Sequence, residues 1–75
     1  MGLDKMPKGA MGKIKEISFE SIDMANRLNS LGFYVGEQVK VLKGSKFLST
    51  SVIIEVNNNR VALSKSYANK ILLEV

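Results

Sequence analysis

The chain has 75 residues, a net charge of +4, 45% hydrophobic and 24% charged residues, and neither Cys nor His. So short a chain makes one domain at most, 1–75, with a thin core, because it hides only roughly 60% of its unfolded surface. Globular composition excludes disorder of the whole chain, and apolar runs no longer than Val52-Ile53-Ile54 exclude a membrane-spanning helix.

Residues 1–5 are expected as a flexible lead-in, and "MPKGAMG", with Pro7 and Gly9, as a loop before the first strand. No apolar block follows Lys5 and Lys8, which argues against a cleaved secretory signal. Met1, Met6 and Met11 are read as gap-fillers at the core edge rather than thioether ligands. Residues 12–19, "GKIKEISF", read as a strand, with Lys13 and Lys15 alternating around Ile14. Ile14 and Ile17 have opposite parity, so a bulge or bend is expected there.

From Ser21 the period changes. Ile22, Ala25, Leu28 and Leu31, with Met24 alongside, form an apolar stripe on a helix over about residues 21–31. Ser21 is placed to cap that helix, and Asp23 to meet its dipole. Gly32 and Gly36 are expected at positive φ, the first ending the helix and the second turning the chain into a strand over 37–42.

Val39 and Val41 face one side of that strand. "KGSKFLSTS" follows as a polar loop holding Phe47 and Leu48. Val52, Ile54 and Val56, a turn at Asn57-Asn58-Asn59, then Val61 and Leu63, read as a hairpin over 51–64. "SKSYAN" reads as one helical turn, and "KILLEV" as a last strand with Ile71, Leu73 and Val75 on one face. The resulting fold class is mainly β: about five short strands curled into a small barrel, with one inserted helix.

Catalytic chemistry finds no support. Lacking His and Cys, the chain has no nucleophile–base pair of the common kinds and no usual transition-metal ligand set. Its seven carboxylates, Asp4, Glu16, Glu20, Asp23, Glu37, Glu55 and Glu74, do not follow EF-hand spacing. Glu20 and Asp23 are read as capping and dipole residues, and "GSK" at 44–46 is too short for a phosphate loop. The positive charge favours anionic neighbours. Its largest groups, Lys13/Lys15 and Lys40/Lys43/Lys46, are read first as solvated strand faces.

In order, these pieces resemble the FeoA family (ferrous iron transport protein A). The opening carries Gly9, Gly12, Ile14 and Ile17. The centre carries Arg27, Leu28, Leu31, Gly32, Phe33, Gly36, Val39 and Val41, and the ending Ala62, Leu63, Ala68, Ile71 and Leu73. Val35 stands where the family commonly has Pro before the second central glycine, and the loop at 43–51 lacks the family's usual Pro.

The resemblance implies an SH3-like barrel with an inserted helix. It implies a cytoplasmic accessory role in bacterial ferrous iron uptake, acting on an FeoB-like membrane permease and peripheral at the inner membrane face through that partner. Fe(II) association follows from the resemblance alone; the residues suggest no preformed metal site and no cofactor.

Partner contact is expected at Phe47 and Leu48, two large apolar residues in a polar loop, with Lys43 and Lys46 orienting an acidic partner or an anionic leaflet. Two other classes stay open. One is single-stranded nucleic-acid binding through Tyr34, Tyr67, Lys40 and Lys65. The other is direct transition-metal regulation. Homodimerisation through a strand edge is undecided by the sequence.

Overall fold

A computed structural model describes residues 2–44 and 50–74 of the chain. Five strands, β1 (Met11–Ile17), β2 (Gln38–Lys43), β3 (Ser51–Val56), β4 (Asn59–Ser64) and β5 (Ile71–Glu74), form one antiparallel sheet in the order β4-β3-β2-β1-β5. Helix α1 (Ile22–Ser30) is inserted between β1 and β2, and a single turn, α2 (Lys65–Ala68), links β4 to β5. This is the mainly β architecture with an inserted helix expected from the sequence.

Alternation builds the core. Val39 and Val41 of β2, and Val52, Ile54 and Val56 of β3, turn inward and are at most 1% exposed. Their neighbours Gln38, Lys40, Ile53 and Glu55 take the other face, as a pleated strand requires. Leu63, Ile71 and Leu73 close the core from β4 and β5, and Phe33 is the largest of its fully buried side chains.

The parity conflict between Ile14 and Ile17 is resolved by a register shift between Ile14 and Glu16 in the β1–β5 pairing. One extra residue lets Ile14 be fully buried while Ile17 still packs against the core. A second shift, between Val41 and Lys43, bends β2 against β3.

α1 begins as the sequence indicates. The Met24 amide donates to Ser21 Oγ at 3.1 Å, and Asp23 lies in the first turn. The apolar stripe differs from expectation. Met24 and Leu28, one turn apart, face the core, whereas Ile22 is 78% exposed. Only a narrow line of a nine-residue helix meets the sheet, and the first residue falls outside it. Met11, expected at the core edge, also points outward, while Met6 is buried.

The N-terminal segment is packed rather than loose. Leu3–Lys5 form a 3-10 turn, Leu3 is fully buried, and Gly2 bridges Leu72 on the outer side of β5. A single leucine entering the core outweighs the segment's polar composition, since burying it is worth about 1.5–3 kcal/mol. Glu20 does not cap α1; it forms an ion pair with Lys70, beside the hydrogen bond from the Ser18 amide to the Lys70 carbonyl.

Candidate interaction surface

Two glycines set the frame. Gly32 (φ +101°) follows α1, and its amide donates to the Asn29 carbonyl; the next amide, Phe33, donates to Leu28. These bonds occupy carbonyls that the helix end would otherwise leave free. Gly36 (φ +92°) donates to the Ile14 carbonyl at 2.8 Å, and the Glu37 carbonyl accepts from the Ile14 amide at 2.9 Å. The turn between the glycines is thereby fastened to β1, and it leaves Tyr34 and Val35 exposed.

The hairpin from β3 to β4 turns on Asn57 (φ 54°) and Asn58 (φ 65°), with Val56 paired to Asn59. Positive φ at both central residues is the two-residue turn whose twist matches the strands. The register then runs unbroken from Val56–Asn59 to Ser51–Ser64.

Cross-strand register, rather than sequence proximity, assembles the charges of the outer face. Lys40 lies opposite Met11 on β1 and Glu55 on β3, and Glu55 lies opposite Arg60 on β4. Lys40, Glu55 and Arg60 therefore form one row of alternating sign across three strands. A shallow groove of about 300 Å³ opens beside this row, walled by Met11, Glu37, Lys40, Glu55 and the Asn57–Asn58 turn. Its mixed charge suits polar contact with another surface. Sequence reading missed Glu55 and Arg60 because only strand pairing brings them beside Lys40.

Among the expected contact residues, Lys43 is exposed at the end of β2. Lys46, Phe47 and Leu48 lie outside the described residues. The residues suggested for nucleic-acid stacking are not equivalent: Tyr34 is exposed, but Tyr67 packs against the core from α2. Lys40 is exposed on β2, and Lys65 is half-buried on α2. Among the described residues no group of three acidic side chains converges as a cation site, and no helix is long and apolar enough to cross a membrane.

The family model of the FeoA domain matches residues 1–75. The zinc complex of Stenotrophomonas maltophilia FeoA, described as a prokaryotic SH3 domain protein, is similar at 26% identity. It covers 99% of this chain and 89% of that one, with a TM-score of 0.83. An iron uptake regulatory protein (FeoA) matches at 24% identity and TM-score 0.87, over 99% of this chain and 95% of its own. A manganese-dependent transcriptional repressor contains the same fold at 20% identity and TM-score 0.88; this chain spans 41% of its length. The latter two likenesses carry the fold alone. No curated protein sequence matches this chain.

Proposed function

This chain belongs to the FeoA family, and we propose that it is a non-catalytic, cytoplasmic interaction module of bacterial ferrous iron uptake, acting by protein contact on an FeoB-type permease. The observation carrying this reading is the family match over the whole chain. It is supported by the similarity to the Stenotrophomonas maltophilia protein, described as a candidate ferrous iron transport activating factor. The sequence supplies neither His nor Cys. In this reading iron enters as the cargo of the permease.

The scaffold suits such a role. Its inner face is consumed by the core, and what it presents outward is charge in fixed register and a few exposed apolar side chains. In this reading the contact includes Lys43, the last residue of β2, with Lys46, Phe47 and Leu48, which follow it in the sequence.

Calorimetric titration of the chain with the permease's cytosolic region tests the reading. Binding is expected, weakened by the double substitution Phe47→Ala, Leu48→Ala with the unfolding midpoint unchanged. No heat of binding at low salt would remove the permease from the account.

A further inference from the structure

The two edges of the sheet are treated differently. Along β5 the chain covers its own edge, because Gly2 bridges Leu72. Along β4 no described strand or segment pairs on the outer side. The hairpin geometry states which groups face out. A two-residue turn makes Val56–Asn59 a hydrogen-bonded pair, so pairing alternates along the strand. Asn59, Val61 and Leu63 direct their backbone groups to β3, leaving the N–H and C=O of Arg60 and Ala62 on the open side.

Soluble proteins blunt such edges with bulges, prolines, short strands or inward charges. β4 has six residues, no proline and no register shift against β3. Ala62 offers a small exposed side chain beside the open groups. Arg60 ends the alternating row Lys40, Glu55, Arg60, in which a further strand is called upon to supply the next negative charge.

We propose that the outer edge of β4 is a strand-addition site for an extended polypeptide segment that places a carboxylate opposite Arg60. The segment runs antiparallel, extending the sheet's pattern, and exchanges backbone hydrogen bonds with Arg60 and Ala62. Opposite Val61, half-buried on the core side, it carries an apolar residue. A second copy of this chain fits less well. Two β4 strands paired about Ala62 would set Arg60 against Ser64, with no carboxylate to meet it, and each copy carries +4. The proposal deepens the reading of the chain as an interaction module, on which it rests, by adding a contact surface distinct from the one at Lys43 and stating the chemistry of the segment it takes.

The test is a titration of the isotopically labelled chain with the peptide acetyl-Thr-Val-Thr-Val-Glu-Thr-amide, followed by NMR. The Glu residue is placed to meet Arg60. Shifts and slowed amide exchange are expected at Arg60 and Ala62, with affinity about tenfold higher, or 1.4 kcal/mol, than for the same peptide with Lys in place of Glu. R60E reverses that preference. A62P removes an outward donor and abolishes binding; should it unfold, the exposed R60E decides alone.

No binding up to millimolar peptide, equal binding of both peptides, or shifts confined to other residues overturns the proposal. Protection at Ala62 that rises with protein concentration in the absence of peptide also overturns it, in favour of a second copy. Calorimetry with the permease region separates the two readings. Permease binding without peptide binding sinks the β4 site alone, and peptide binding without permease binding sinks the permease alone.

Discussion

The Gly36 amide donates to the Ile14 carbonyl at 2.8 Å, joining the turn after α1 to the strand before it. This bond requires the chain to reverse at φ +92°, a torsion that an L side chain adopts only with strain. A Cβ added at Gly36 would meet nothing within 4 Å, so the cost of replacement is torsional rather than steric.

Gly36→Ala is accordingly expected to cost about 1–3 kcal/mol, the range for a residue held in a sparsely populated region. Gly36→Asn should recover part of the loss, because Asn tolerates positive φ. Urea unfolding of the three chains measures both. An alanine chain as stable as the parent would mean that the turn relaxes, and that Gly36 is dispensable to it.

Substitutions in α1 separate the helix as read from its sequence from the helix as packed. Leu28 has no exposed surface, and Leu28→Ala should cost about 2–5 kcal/mol through the cavity it leaves. Ile22, one of the stripe residues in the sequence, is 78% exposed. Ile22→Ser should therefore stay within about 0.5 kcal/mol of the parent. Ser21→Ala, by contrast, removes the acceptor of the Met24 amide and should cost about 1 kcal/mol. Thermal or urea midpoints rank the three; a costly Ile22→Ser would return that side chain to the core.

Those cases show what was legible in the sequence. Ser21, Gly32, Gly36 and the Asn57–Asn58 turn act within a few residues of themselves, through a cap or a torsion, so local sequence is sufficient to find them. The burial of Val52, Ile54 and Val56 was readable because alternation has one solution when one face is covered. Ile22 and Met11 were misplaced because their exposure depends on which side of each element the core lies. Leu3 was missed because one apolar residue makes no period. The candidate surface was legible only in its parts: Lys40 and Lys43 stood out as charges, but Glu55 and Arg60 joined Lys40 through strand register, which no spacing encodes.

The N-terminal turn supplies the next prediction. Leu3 is fully buried and the Gly2–Leu72 bridge covers β5, so residues 2–5 belong to the folded unit. Leu3→Ala is expected to cost about 2–5 kcal/mol. It should also speed amide exchange along β5, measured by NMR, because the segment over that edge loses its anchor. Destabilisation below about 0.5 kcal/mol, the level of an ordinary surface change, would show that the segment only rests on the core.

The row Lys40, Glu55, Arg60 makes the last prediction. Glu55 lies between two cations on neighbouring strands, at cross-strand positions where opposite charges contribute roughly 0.2–1 kcal/mol per pair. Glu55→Lys makes both cross-strand pairs like-charged, and Glu55→Gln removes the attraction without adding repulsion. Stability should fall in the order parent, Gln, Lys, with the Lys variant losing about 0.5–2 kcal/mol at low salt. The gap should narrow by 1 M salt, where the screening length is about 3 Å. The control is Lys40→Glu combined with Glu55→Lys, which restores alternation between those two strands while leaving the introduced lysine opposite Arg60. It should regain part, but not all, of the lost stability. A salt-independent loss, or no regain in the double variant, would assign the effect of Glu55 to packing against Ile53 and its neighbours rather than to charge in register.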